Sequence, residues 1–535
     1  MKRFFLFLLV LPLSLWAHLP TEQDTIQYRE QLQMRTMPQC AAVPEGGFVY
    51  FFNHKVAPWL THSLNEHTIS SIRQTLKPYL HIPLSREGFT QASTRRDEDE
   101  VDVTNYSAIW VRDAVWHYFG LKNGNPKEAK TLLLNLLRFY STPQQKERFL
   151  AVITSPEIAD PTKTKNAHLN VPLIRFSRKT LSHHQINGKE QMWDHLQFDS
   201  HGLFLLALSD ALRTRIISKS DIPTDSYETL AFFPAFFDVT SFWERGDAGP
   251  WEEELIVNAS TIGLISAGLM GYYDEILGTF PLEQSVQKVT PAKTKSTIIT
   301  ALSKKRIEQM IELGKKKVEF NLNLGGEAPD ITGKGINRRA DAALLFLCMP
   351  ENSLYYNDKQ AIQTVLDIVL GLVGPYGIYR YKLDAYQSLN YWIDHNIPSV
   401  ILGPQTPDTV FVTRFHKGYM PANQPYDAQW FFDSIIAAVY YRLTELESDN
   451  TLCRYYLRRG DFHLKRSLGQ LTGSDTIAAN GETLSEFSLP ESINTVFDRK
   501  YDFTPLPSPV CPLSWSIATM RMALERAEHA HRSVR

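Results

Sequence analysis

Trp243-Glu244-Arg245-Gly246-Asp247, followed at Asn258-Ala259-Ser260 by an apolar run with helical period, is the stretch on which the reading of this chain turns. The period extends over 259–277, so a charged and aromatic loop leads directly into a buried helix. A carboxylate beside a large apolar ring is poorly solvated, its neutral form is favoured, and its pKa rises. In that setting Glu244 keeps a proton near neutral pH and can hand it to a leaving oxygen. Taken alone, the same five residues also describe an exposed Glu paired with Arg245, since most carboxylates face water. The neighbours along the chain decide between the two.

The arrangement recurs. Arg112-Asp113 precede one apolar helix, Trp193 to Asp199 precede 202–217, and Arg338 to Asp341 open 340–348. Asp427 to Trp430 stand at the start of 429–446, and Glu491 and its neighbours precede 513–527. Helical periodicity also covers 67–80, 127–140 and 358–373, whereas strand-like alternation is confined to pieces such as 47–52 and 408–413. Single Asp residues before helices act as caps and oppose the helix dipole. Capping does not account for the Trp, Arg and Gln beside them. A ring of helices whose N-terminal loops converge at one end gathers all these groups into one pocket.

Composition narrows the class. The chain has 535 residues, 43% hydrophobic and 21% charged, as a globular protein has. A net charge of −2 offers no footprint for nucleic acid. Aromatic residues make up 12% of the chain, many beside polar residues; such rings can stack on sugar faces, although aromatic-rich cores are the commoner explanation ring by ring. Lys2 and Arg3, the apolar stretch 4–16 and Ala17 read as a secretory signal over 1–17. No later run reaches the length of a membrane span, so export without stable membrane association is expected. One domain is expected over 18–535. Arg95 to Asp102 reads as a solvated loop, and the Lys-rich 287–317 as a peripheral insertion carrying one amphipathic helix. Cys40, Cys348, Cys453 and Cys511 allow three full disulfide pairings, with Cys348 also readable as a buried thiol. No metal-ligand spacing is present, and no metal or cofactor is expected; His183-His184 falls in a polar loop.

Hydrolysis of a glycosidic bond needs two carboxyl groups, one to protonate the leaving oxygen and one to activate water or attack. Glu244 suits the first role. Glu491, in Leu489-Pro490-Glu491 ahead of Pro512-Leu513-Ser514-Trp515-Ser516, is the candidate for the second, with helix capping as its alternative.

Six blocks in order resemble those of glucoamylases, glycoside hydrolase family fifteen. Tyr106-Ser107-Ala108-Ile109-Trp110-Val111-Arg112-Asp113 is similar to the Trp-x-Arg-Asp motif, and Trp193-Asp194-His195-Leu196-Gln197-Phe198-Asp199 with Gly202 to the second. The Trp243 to Asp247 block with Asn258-Ala259-Ser260 resembles the glucoamylase-like region of phosphorylase kinase alpha and beta subunits. Arg339-Ala340-Asp341-Ala342-Ala343-Leu344-Leu345 follows. Tyr379-Arg380-Tyr381 with Asp384, Tyr386, Asn390 and Trp392 is next, and the Glu491 block closes the series.

The resemblance implies an all-α (α/α)6 toroid with a pocket for the non-reducing end of an α-glucan or maltooligosaccharide, in a monomer. It implies that Arg112 and Asp113 hold sugar hydroxyls and that Trp110, Trp193 and Trp392 supply stacking walls. Gln197, Asp199, Trp243, Arg245, Asp341 and Arg380 complete the binding set. Glu244 matches the general acid and Glu491 the general base of an inverting, exo-acting α-glucosidase. There are departures: Ser492 stands where the family has Gln. Trp251-Glu252-Glu253 is a second Trp-Glu pair, so Glu252 rivals Glu244. A catalytically idle glucan-binding or regulatory module is the alternative function.

Overall fold

The computed structural model describes residues 37–94, 106–186, 189–190, 193–253, 255–329, 338–381, 384, 426–478, 482–498 and 502–534. The expected signal (1–17), the 95–102 loop, the 408–413 strand, and Tyr386, Asn390 and Trp392 lie outside the described residues.

Six elements follow one another round a ring. They are the helices Val111–Leu121, Phe198–Arg213 and Ala259–Gly271, the 3-10 helix Ala342–Leu347, and the helices Asp433–Leu446 and Ser514–Ser533. Val111–Leu121 packs on Phe198–Arg213, that on Ala259–Gly271, and that on Ala342–Leu347. Phe346 then meets Phe432, ring centroids 6.4 Å apart, at the start of Asp433–Leu446. Asp433–Leu446 packs on Ser514–Ser533, which returns to Val111–Leu121 and closes the ring.

A second set packs against these from outside: Glu66–Leu76, Pro126–Tyr140, Lys304–Asn323, Lys359–Val369 and Asn450–Gly469, with Tyr227–Thr240 joining through Phe236 on Phe198 and Phe233 on Phe204. The fold is an all-α toroid of alternating inner and outer helices.

Sequence patterns match the two positions. Val111–Leu121 is buried on every side, and Ala259–Gly271 on all but Met270, so neither shows an apolar stripe. Lys359–Val369 buries only Ile362, Val365, Leu366 and Val369, the single stripe of an outer helix. Closure demands close backbone approach at one point. A Cβ on Gly202 would stand 2.6 Å from the Ile265 backbone, and one on Gly268 would stand 2.4 Å from the Gly202 carbonyl oxygen.

The inner helices carry Arg112, Asp113 and Asp199 in their first turns. Near their C-terminal ends, Lys122 pairs with Asp210 (3.0 Å), and Arg526 pairs with Glu351 (2.7 Å) and Glu445 (3.0 Å).

Three expectations change. Gln429 and Trp430 belong to the strand Tyr426–Trp430, not to a helix over 429–446. That strand is the third of four in an antiparallel sheet ordered Asp502–Pro507, Ser492–Asp498, Tyr426–Trp430, Ile378–Tyr379. Ladder pairing with Ile493 and Tyr379 overrides the helical period at Gln429.

The 287–317 stretch is not all peripheral. Lys304–Asn323 buries Ile307, Met310, Gly314 and Val318 and packs on Ala259–Gly271, as a structural member of the toroid. Its lysines 305 and 316 face solvent, which gave the stretch its surface look. Finally, Cys40, Cys348 and Cys453 are free thiols, which removes all three full disulfide pairings.

Buried apolar side chains from Val43 to Ala530 form one contiguous cluster. No helix among the described residues is long and apolar enough to cross a membrane.

Candidate active site

The site is assembled at the N-terminal ends of the inner helices. The two-residue strand Ile109–Trp110 pairs with Arg175–Phe176 and delivers Trp110 and then Arg112 at the mouth of its helix. Arg112 is almost fully buried. Its Nη1 donates to Asp199 (3.0 Å) and Gln197 (3.1 Å), and its Nη2 to Gln197 (3.1 Å) and Glu252 (2.7 Å). Gln197 in turn donates to the Asp194 carbonyl at 2.6 Å, which fixes the amide that receives Arg112. Asp113 is buried beside this fork. Burial pushes its carboxyl up to about 6 although Arg112 opposes the shift.

Trp251-Glu252-Glu253 fastens three elements together with three successive side chains. Trp251 Nε1 donates to Asp341 Oδ1 at 2.8 Å. Glu252 meets Arg112. Glu253 accepts from Arg338 (2.8 Å) and from the Tyr381 hydroxyl (2.7 Å), and lies 3.2 Å from Arg380. Burial would raise Glu253, but Arg380 and Arg338 outweigh it and hold the carboxyl low.

Glu252 differs. Burial pushes it up to about 7, Arg112 and Arg175 oppose the shift, and Asp113 and Asp199 add to it. Its backbone is left-handed at φ 62°, a costly conformation for a glutamate that surrounding structure must hold in place. Asn258 supplies part of that hold by donating to the Asp247 carbonyl (3.0 Å), the Asp247 carboxylate (2.9 Å) and the Ile256 carbonyl (3.2 Å).

Arg380 also pairs with Asp384 at 2.7 Å, and Trp430 Nε1 donates to the same carboxylate at 3.0 Å. Asp341 lies between Arg338 and Trp251; burial raises its carboxyl and Arg338 opposes that.

Glu491, buried, sits immediately before the strand Ser492–Asp498, and its backbone N–H donates to the Val510 carbonyl at 3.0 Å. The Tyr106 hydroxyl donates to its carboxylate. Tyr106 packs on Trp110 at 5.6 Å, and Trp110 meets the edge of Trp193 at 5.9 Å. The Arg175 guanidinium lies over both indoles, 4.8 Å from Trp110 and 4.4 Å from Trp193. One aromatic platform therefore reaches Glu491 through Tyr106, while Arg175 on that platform acts electrostatically on Glu252.

Trp110, Arg112, Asp113, Trp193, Gln197, Asp199, Asp341, Arg380 and Glu491 thus fall in or next to one network. Trp392 lies outside the described residues. Trp243, Glu244 and Arg245 do not join the network. The chain leaves Tyr227–Thr240 through Ser241 in a left-handed conformation, and the turn that follows leaves Glu244 exposed. Arg245 pairs with Asp160 (3.3 Å) and donates to the Thr240 carbonyl (2.8 Å), and the Arg306 guanidinium lies 5.9 Å from the Trp243 ring. Adjacency to a Trp in sequence gave Glu244 no apolar pocket, because consecutive side chains of a turn diverge.

Arg175 has no place in the sequence motifs, while Asp194, Glu253, Arg338, Tyr381 and Trp430 stand within them without an assigned role. A charged residue inside the apolar run Leu173-Ile174-Arg175-Phe176 was the available signal for the first.

The protein resembles known ones in several ways. A solved glucoamylase from Saccharomycopsis fibuligera is 14% identical, with a TM-score of 0.50 over 87% of this chain and 96% of that one. A solved glycosidase in complex with glucose, also 14% identical, aligns over 87% of this chain and 99% of that one with a TM-score of 0.49. The Escherichia coli (strain K12) protein described as "Uncharacterized lipoprotein YgeQ" is 34% identical over 165 residues, 30% of this chain; the chain spans 61% of that relative's length. Residues 71–447, well over half the chain, match the sequence profile of glycosyl hydrolases family 15. That match settles the family: the chain belongs to glycosyl hydrolases family 15.

Proposed function

We propose that the protein removes glucose from the non-reducing ends of starch- or glycogen-like α-glucans and maltooligosaccharides, inverting the anomeric carbon, with Glu252 as general acid and Glu491 as general base. The observation that carries this reading is Glu252. It is a buried carboxyl raised to about 7, held by a left-handed turn against an arginine at the pocket end of the toroid. Such a group is protonated below neutral pH and can give its proton to the glycosidic oxygen as the C1–O bond breaks.

Glu491 takes a proton from a water whose oxygen forms the new bond to C1 from the opposite face. The products are β-glucose and a shortened chain with its new hydroxyl. Glu491 then returns its proton to solvent and Glu252 recovers one, so nothing else is consumed. Arg112 and Asp113 supply a charged fork and a carboxyl for sugar hydroxyls, and Trp110 and Trp193 supply faces for the ring. Export is supported by the charged and apolar start over 1–17 and by the lipoprotein name of the relative.

The test is a product assay on maltose, maltotriose, glycogen and dextran from about pH 4 to about pH 8, with the first-formed anomer read by NMR. β-Glucose is expected. First-formed α-glucose overturns the inverting assignment. No glucose from any substrate, with oligosaccharide binding intact, overturns the enzyme and leaves a glucan-binding module.

A further inference from the structure

Arg175 is nearly inaccessible to solvent, yet its charged guanidinium lies against the indoles of both Trp110 and Trp193. The two rings meet at 82°, so the guanidinium sits in the corner they form and is attracted to both, and cation–π attraction strengthens where water is excluded. Its strand partner in the ladder is Trp110 itself, so backbone and side chain both tie it to the same wall.

We propose that Arg175 is a positioning residue for proton donation. It locks the Trp110 and Trp193 rings into one wall and supplies, after Arg112, the second cation against which the Glu252 carboxylate is stabilised once its proton has left. This rests on the assignment of Glu252 as the acid.

The fold brings Arg175 toward Glu252, since its ladder partner Trp110 stands two residues before Arg112, which donates to Glu252 at 2.7 Å, and charges from three elements meet there. From Val111–Leu121 come Arg112 and Asp113; from the loop and first turn around Phe198–Arg213 come Asp194 and Asp199; from Arg175–Phe176 comes Arg175. Three carboxyl groups thus stand against Arg112, which already gives one nitrogen to Asp199 and both to Gln197. A carboxylate formed at Glu252 is repelled by three acids and attracted by one shared arginine unless Arg175 contributes. The same charge extends behind these rings: burial lowers His183, His184 and His195, Arg148 adds to this at His183 and His195, and Arg175 adds at all three.

Two variants and two substrates test this. Arg175→Met removes the charge and keeps an apolar stem; Arg175→Lys keeps the charge and loses the flat stack. On maltotriose, Arg175→Met is expected to lower kcat about tenfold or more and to move the alkaline limb of kcat/KM upward by roughly half a unit or more, because Glu252 loses a cation. On α-glucosyl fluoride, whose leaving group needs no proton, kcat is expected to stay within about threefold of the parent. Arg175→Lys is expected to keep the limb and raise KM.

Equal losses on both substrates with an unmoved limb overturn the proposal in favour of a merely structural arginine. Should Arg175→Met not fold, an alkaline limb in Arg175→Lys that rises overturns it too. A parent protein that turns over neither substrate overturns the hydrolase reading and this role with it, whereas an active parent with equal losses in the variant overturns the role of Arg175 alone.

Discussion

Arg112 donates from one nitrogen to Glu252 at 2.7 Å and from the other to Asp199 at 3.0 Å. One guanidinium thereby couples the first turn of Val111–Leu121, the start of Phe198–Arg213 and the loop that carries Glu252. Both carboxyl partners are well shielded from water, so the contacts are charge-assisted and directional, unlike exposed ion pairs. On the proposed function, Arg112 places the acid and also meets the sugar, so substrate and acid would share one anchor.

Glu252→Gln is expected to lower kcat/KM on maltotriose by about 10²- to 10⁴-fold while leaving oligosaccharide affinity within a few-fold. Glu244→Gln is expected to change kcat/KM by less than about twofold, since its side chain is exposed and stands outside the network. Because Glu252 is raised to about 7, activity should fall as pH rises through that value and the acid loses its proton. Kinetics of both variants, with a parent pH profile, check this. A dead Glu244→Gln would reverse the assignment.

Tyr106→Phe removes the hydroxyl that donates to Glu491. A hydrogen bond to a carboxylate contributes about 1.5–3 kcal/mol, so kcat should drop roughly 10- to 100-fold. The ring stays to pack on Trp110, so binding of an unhydrolysed oligosaccharide should be nearly unchanged by calorimetry. Loss of binding in step with kcat would mean that Tyr106 shapes the wall rather than the base.

Gly202→Ala introduces a methyl where the Ile265 backbone already stands 2.6 Å away. Inner helices cannot separate without opening the ring, so the cost should be about 3 kcal/mol or more, read as a lowered denaturation midpoint. A midpoint within error of the parent would show that the ring breathes at this contact.

His201 is buried among Tyr140, Phe149, Phe233 and Phe236, and burial holds it down to about 3. Its folded pKa lies below its unfolded value near 6.5, so the unfolded chain binds the proton first. The stability this neutral ring contributes is fully present above 6.5 and is lost as pH falls from 6.5 toward 3. His201→Phe should therefore flatten the loss of stability over that window by up to about 4 kcal/mol, as seen in denaturant midpoints at stepped pH. Parallel acid dependence in parent and variant would count against it.

The chain's own order carried a good deal. Periodicity located the inner helices at 202–217 and 259–277 and the outer helix at 358–373, because helix period and burial are local properties of sequence. The order of Arg112-Asp113, Trp193 to Asp199, Asp341, Arg380 and Glu491 before successive elements was also legible. A ring that repeats one unit puts equivalent loops at one end. What sequence could not decide was which Trp-Glu pair enters the pocket. Trp243-Glu244 and Trp251-Glu252 lie eight positions apart on one loop, and sequence favoured the first because its motif continues in register to Asn258-Ala259-Ser260.

Only the tertiary fold separates the two pairs. Ser241 turns Glu244 out to solvent, Asn258 pins the loop, and Arg112, from more than a hundred residues away, draws Glu252 inward. A carboxyl's proton affinity depends on burial and on charges brought near by distant segments, and these exist only once the ring has closed.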